Sequence, residues 1–245
     1  MRKRRKYSKS GFYHIVIRGV NKQNIFFDEA DKKLFLGLLK KYSIKLKIQV
    51  HAYCLMDNHA HLLLEDTDKS ISLFMQVFTS LYARLFNKKY DRIGHLFQER
   101  FASEVIEDSF YFMTVFRYII QNPEKAGIEK TENYEWSSFK LYKVKDTFLE
   151  KETVLSLFPS LEAMYDFLKI KNNDICLEIE LRPSEKEQHY IQKIKEILQT
   201  DNPLILQNLS RQEIEQQIKK LKAAKISTRT IARITCIPRA LIQKV

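Results

Sequence analysis

Cysteine is scarce in this chain: Cys54, Cys176 and Cys236 are the only three among 245 residues. They stand singly, without the paired spacings of a disulfide framework or a thiolate zinc site, which excludes both and leads us to expect a reduced, cytoplasmic protein. No apolar run approaches the roughly 18 residues of a spanning helix, so no membrane partner is expected. The basic start is not followed by the apolar core of a secretory signal. No internal repeat or low-complexity segment is present, which excludes a repeat array. Acidic residues are missing from the first ten positions altogether.

Positive charge is what those ends hold instead. The first ten residues carry six cations, and residues 211–245 carry nine against two acids, within a formal net charge of +12. The body between is close to neutral. A solvated tail would account for one basic end, but two basic ends around a neutral body favour an anionic partner, nucleic acid first. The hydrophobic content, 44%, is ordinary for a globular protein.

Residues 12–18 read as a strand, rich in aromatic and β-branched types and closed by Gly19. Leu34, Phe35, Leu38, Leu39 and Tyr42 recur at helical spacing over 31–45. Residues 49–56 and 59–65 make two strands around the tight turn Asp57-Asn58, a hairpin. A second amphipathic helix covers 70–87, a short strand 102–106, and a third helix 109–121, which ends where Asn122 precedes Pro123. The order βαββαβ predicts an α+β fold: a ferredoxin-like antiparallel sheet with helices on one face, followed by an all-α C-terminal region. The expected organisation is a basic tail over 1–10, the sheet domain over 11–145, a helical connector and linker over 146–183, and a helical DNA-binding region over 184–245. In that last region Ser184 with Glu187, and Ser210 with Glu213, match the capping-box spacing. Residues 226–242 read as a helix-turn-helix whose second helix has proline at its first position.

Chemistry concentrates at Met56-Asp57-Asn58-His59-Ala60-His61-Leu62. Alternate residues of a strand share a face, so His59 and His61 can point at one ion. A lone His-x-His is a weak motif and needs further donors; an oxygen ligand beside it would suit Mg²⁺ or Mn²⁺ with positions open for phosphate. Tyr118 and Asn122, four apart on the third helix, share a helical face. A tyrosine with a reference pKa near 10 can attack phosphate when a metal polarises the phosphorus, leaving a 5′-phosphotyrosine and a free 3′-OH. On spacing alone, a core aromatic on an amphipathic helix is the better account of Tyr118, one of twelve tyrosines, and its offset from Asn122 does not overturn it.

Five ordered blocks shift that balance. Tyr13-His14-Ile15-Val16-Ile17-Arg18-Gly19-Val20-Asn21, residues 51–62, Gly94-His95-Leu96-Phe97-Gln98-Glu99-Arg100-Phe101, Arg117-Tyr118-Ile119-Ile120-Gln121-Asn122-Pro123 and Trp136-Ser137-Ser138 resemble the REP-associated tyrosine transposases, single-tyrosine relatives of insertion-sequence transposases in the HUH nuclease superfamily. The resemblance implies a metal-dependent transposase that nicks and rejoins single-stranded or hairpin DNA. It implies His59, His61 and Asn122 as metal-binding residues, Tyr118 as nucleophile and a monomer or homodimer. Asp57 stands where the family commonly has proline.

Arg18 and Arg100, on the matching blocks, are candidates for DNA contact. So are Arg2, Lys3, Arg4, Arg5 and Lys6 of the tail, and Arg229, Arg233 and Arg239 of the C-terminal helices, through phosphates or base edges. The alternative is a non-catalytic DNA-binding or regulatory protein on the same fold. A ferredoxin-like RNA-binding module would display stacking aromatics on its sheet, where this sheet carries histidines.

Overall fold

The computed structural model describes residues 7–98, 100–171, 174, 176–177 and 185–245, except for the side chains of 185–188 and 208. Four strands, β1 (Phe12–Arg18), β2 (Gln49–Met56), β3 (His59–Glu65) and β4 (Ala102–Ile106), form one antiparallel sheet in the order β2-β3-β1-β4. Helix α1 (Glu29–Lys45) joins β1 to β2, α2 (Ile71–Lys89) joins β3 to β4, and α3 (Ser109–Lys125) follows β4. The chain divides into two compact units, one of residues 1–19 and 24–179, the other of residues 20–23 and 180–245. All three cysteines are free thiols. No helix among the described residues is long and apolar enough to cross a membrane.

Register decides what each face of the sheet holds. Val16 pairs with His61 and Ile15 with Leu62, so Tyr13, Ile15, Ile17, Ala60, Leu62 and Leu64 share one face. They are buried in one core with Phe35 and Leu39 of α1 and Phe74, Phe78 and Tyr82 of α2. His14, Val16, Arg18, His59 and His61 occupy the opposite face, where α3 packs: Phe12 meets Phe112 edge-on, and His14 and His61 meet Tyr118. The expectation of helices on one face is therefore corrected. The alternation in β1 and β3 is apolar against mixed, which looks half-solvated in sequence, yet His14 and His61 are buried beneath α3.

Local chemistry sets the helix ends. Asp28 caps α1 in a full capping box with Asp31, which satisfies otherwise free N-terminal amides. Lys89 Nζ, at the end of α2, reaches both carboxylates, at 2.7 Å from Asp28 and 2.8 Å from Asp31. Asp108 accepts the Tyr111 amide at the start of α3. The far end of α3 departs from expectation. It does not stop at Asn122 but runs through Pro123 to Lys125, with Ala126 N–H donating to the Asn122 carbonyl at 3.0 Å. Proline removes one amide donor, and here it does so in the last turn. Asn122 thereby keeps helical geometry one turn beyond Tyr118.

The outer edge of β2 is covered. Leu55 N–H donates to Trp136 O, Ser138 N–H to Tyr53 O, Glu150 N–H to Val50 O, and Tyr142 Oη–H to His51 O. Residues 136–138 thus line the strand as a short extra edge, and α4 (Glu152–Ser156) and α5 (Leu161–Lys169) add Val154, Met164, Tyr165 and Leu168 to the same core. A β-bulge between Val50 and Ala52 turns out His51, whose buried ring lies between Glu150, at 2.9 Å, and Glu65, at 3.2 Å.

Burial works against a charge on His51, but hydrogen bonds to Glu150 and Glu65 outweigh it and raise its pKa. The same contact with His51 pulls the Glu150 carboxyl down to about 2. A raised histidine stabilises the fold below its unfolded value, about 6.5, and loses that contribution as pH rises through the folded value. The depressed glutamate stabilises above about 4.3 and loses its contribution as pH falls toward 2. Thermal stability should peak between those limits and decline on the alkaline side. Glu150→Gln should lower the pH 6 melting temperature by about 5 °C, from about 2 kcal/mol, and flatten the alkaline decline. Melting curves from pH 5 to 9 check both.

The second unit has its own core, built from Ile194, Leu206, Ile214, Ile218, Leu221, Ile226, Ile231, Ile234, Ile237 and Ile242. Its helices are α6 (Glu185–Leu198), α7 (Arg211–Ala223), α8 (Thr228–Thr235) and α9 (Arg239–Lys244). The Ser210-Glu213 capping box forms; Ser184 and the Glu187 side chain lie outside the described residues. Cys236 ends α8 in the left-handed region, at φ 59°. Pro238 stands at the cap of α9 rather than at its first position.

Candidate functional site

The histidine face of the sheet and the inner face of α3 enclose a pocket of about 200 Å³, lined by Val16, Arg18, His59, His61, Tyr118, Asn122, Lys125 and Ala126. Each wall follows from a local rule. Antiparallel pairing sets Arg18 opposite His59 and Val16 opposite His61, and helical periodicity brings Tyr118, Asn122 and Lys125 to one side.

The two imidazole centroids are 5.0 Å apart with their planes at 81°. His61 is 1% exposed; burial first, then His59, His14 and Arg18, push its pKa well below that of an ordinary imidazole. A neutral ring is what metal ligation requires. Its Nε2 lies 3.4 Å from Asn122 Nδ2, and its Nδ1 lies 3.0 Å from His14 Nε2. His59 is half-buried and bonds through Nδ1 to Asn58 Oδ1, leaving Nε2 as its second ring nitrogen. The Tyr118 ring stands 5.6 Å from that of His61, and Lys125 Nζ lies 4.8 Å from the Tyr118 ring centre.

Among the described residues no three His, Cys, Asp or Glu side chains gather as a metal site. The donor set here is two imidazoles and a carboxamide, whose oxygen and nitrogen exchange places by a rotation. Two nitrogens and one oxygen fit Mn²⁺ and admit Mg²⁺, with coordination positions left over. Asp57, in the turn before the histidines, directs its carboxylate to Lys32 at 3.0 Å and is absent from the pocket lining.

The structure therefore brings together His59, His61, Tyr118, Asn122 and Arg18. Arg100 lines a different, wider groove between α2 and residues 94–101, with Gln76, Thr79 and Gln98. Arg229, Arg233 and Arg239 are exposed on α8 and α9 of the second unit. Arg2, Lys3, Arg4, Arg5 and Lys6 lie outside the described residues. Sequence reasoning missed His14, Glu104 and Lys125. His14 was visible as a histidine two residues before Val16 on a strand that ends at Arg18, but only the β1-β3 register places it beside His61.

Three comparisons bear on this geometry. Residues 7–122 match the model of the IS200-like transposases. No curated protein matches the chain. Among solved structures, a REP-associated tyrosine transposase bound to a REP hairpin aligns with a TM-score of 0.54 at 15% identity, over 74% of this chain and 98% of that one; the likeness is one of fold. A transposase-described structure from Deinococcus radiodurans aligns at 18% identity and a TM-score of 0.35, over 51% of this chain and 97% of that one.

Proposed function

From the match of residues 7–122 to the IS200-like transposases, we propose that the chain is a transposase of that family, acting in DNA transposition, and that it nicks and rejoins single-stranded or hairpin DNA through Tyr118. The observation that carries this reading is the convergence of His59, His61, Tyr118 and Asn122 on one pocket.

In the proposed reaction the Tyr118 phenolic oxygen attacks a backbone phosphorus. The new phosphorus-oxygen bond forms as the bond to the 3′ oxygen breaks; that oxygen leaves with the electron pair and takes up a proton, while the phenolic proton passes to solvent. A covalent 5′-phosphotyrosine and a free 3′-OH result, and the reverse attack by a 3′-OH rejoins the strand without an external energy source. His59, His61 and Asn122 would hold a divalent metal, Mg²⁺ or Mn²⁺, which supplies charge neutralisation at a non-bridging phosphate oxygen. Arg18, on the pocket wall, and Lys125, beside the Tyr118 ring, bring positive charge to the incoming phosphate and to the developing phenolate. Packing of the Tyr118 ring from α3 against His14 and His61 holds it in one orientation, so little entropy is left to lose at the attack.

The hairpin preference rests on the REP hairpin bound by the solved relative and on the basic ends of the chain. Arg229 and Arg233, one helical turn apart on α8, and Arg239 at the start of α9 form an exposed cationic set. We assign them to duplex or stem contacts as a helix-turn-helix, with Arg2 to Lys6 adding salt-dependent affinity.

The test is to incubate the protein with end-labelled single-stranded hairpins, flanked by unpaired DNA, and Mg²⁺ or Mn²⁺. A denaturation-resistant protein-DNA adduct is expected. Hairpin binding that ignores metal and yields no adduct on any substrate would leave a non-catalytic DNA-binding protein instead.

A further inference from the structure

A polar chain, buried at its histidines and partly exposed at its carboxylate, lies behind the site without serving in the reaction above. His14, on the central strand, is fully buried and pairs across the sheet with Glu104 of β4. Its Nε2 lies 3.0 Å from His61 Nδ1, and its Nδ1 faces Glu104 Oε2 at 3.9 Å. That carboxylate oxygen also accepts from Tyr111 Oη at 2.7 Å and from the Leu177 amide at 3.3 Å. The contact with His14, ahead of the burial that opposes it, holds the Glu104 carboxyl below the usual carboxylate range, so an acceptor-only group terminates the chain.

We infer that Glu104 and His14 are positioning residues that fix His61 in the tautomer protonated on Nδ1, so that its Nε2 lone pair is presented to the pocket. Polarity leaves one consistent arrangement for neutral rings. With Glu104 ionised, the proton of His14 sits on Nδ1, toward the carboxylate. His14 Nε2 is then an acceptor, and His61 must donate from Nδ1. The His61 Nε2 lone pair accordingly faces the Asn122 carboxamide at 3.4 Å. The reversed arrangement would set a lone pair of the buried His14 toward the carboxylate 3.9 Å away, whereas the Asn122 carboxamide accommodates either tautomer by a rotation and leaves the choice to Glu104. A ligating histidine commonly donates its second N–H to a fixed partner, which orients the ring and raises its basicity; here a second histidine, backed by a carboxylate, takes that place.

The purpose of this relay rests on the proposed role of His61 as a ligand, so its readouts are taken without DNA. Imidazole ¹⁵N NMR of the full-length, metal-free protein should show His61 protonated on Nδ1. Glu104→Gln replaces the acceptor by a group that can also donate to His14 and reverse both rings. It should convert His61 to a mixed or Nε2-protonated state and weaken Mn²⁺ binding, followed by electron paramagnetic resonance of free Mn²⁺, about 10–100-fold. The wild-type tautomer needs no variant to fold. Finding wild-type His61 protonated on Nε2, or a folded Glu104→Gln protein with unchanged tautomer and Mn²⁺ affinity, overturns the relay. A wild type that binds Mn²⁺ in the stated tautomer, loses affinity in Glu104→Gln, and yet forms no DNA adduct supports the relay and counts against the proposed reaction.

Discussion

Tyr118→Phe is expected to abolish the covalent protein-DNA adduct and to lower strand cleavage at least about 10⁴-fold, as loss of an attacking nucleophile does elsewhere. The substitution removes one oxygen and leaves the ring. The edge-on contacts of that ring with His14 and His61, and the cation above it from Lys125, persist in phenylalanine, so the fold and the pocket wall should survive. Hairpin affinity should therefore stay within about threefold, since phosphate contacts carry most of it. Gel analysis after denaturation reads the adduct, and a mobility shift on the same hairpin reads binding. Equal adduct formation by Tyr118→Phe would move the nucleophile elsewhere and sink the mechanism; equal binding with no adduct separates the role of Tyr118 from that of the DNA-contacting surface.

Removing either histidine should also eliminate nicking, but at different structural cost. His59 is half-buried near the turn, and His59→Ala should weaken Mn²⁺ binding about 100-fold or more with a melting temperature close to wild type. His61 is enclosed by His14, Tyr118 and Asn122. His61→Ala leaves a cavity and strips His14 and Asn122 of a partner, a loss of about 2–4 kcal/mol. Chelation of wild type should reproduce the catalytic loss of both variants without the stability loss of the second. Calorimetry with Mn²⁺, melting curves and the adduct assay together resolve these outcomes. Full nicking by His59→Ala in chelator would remove the metal from the reaction.

The strands of this fold are readable because their residues repeat a short-range pattern: β-branched and aromatic residues mark 12–18, 49–56 and 102–106, the apolar residues between His59 and Glu65 after the Asp57-Asn58 turn mark 59–65, and the observed strands occupy those positions. The spacing of Tyr118 and Asn122 likewise survives into three dimensions because a helix imposes it. What sequence hides is pairing at long range. That Glu104 stands across from His14, or that α3 crosses the histidine face rather than joining α1 and α2, depends on contacts roughly 60 to 100 residues apart. Proline at 123 misleads for a different reason. Its penalty is that of one missing amide, which the last turn of α3 tolerates, whereas the local preference of the residue before it argues for an earlier stop. The bulge at His51 leaves no mark in composition, since the extra residue is an ordinary member of a strand-forming run.

The covered flank of β2 bears on assembly. An open strand edge offers unpaired amides and carbonyls to any extended segment, including the same edge of another copy. Here the backbone from Val50 to Leu55 is already engaged by Trp136, Ser138, Tyr142 and Glu150. Two copies of this chain joining by continuous sheet extension would have to meet through β4, the strand that carries Glu104. A dimer formed in that way would link subunit association to the strand that backs His14, while one formed through helices would leave the sheet of each copy untouched.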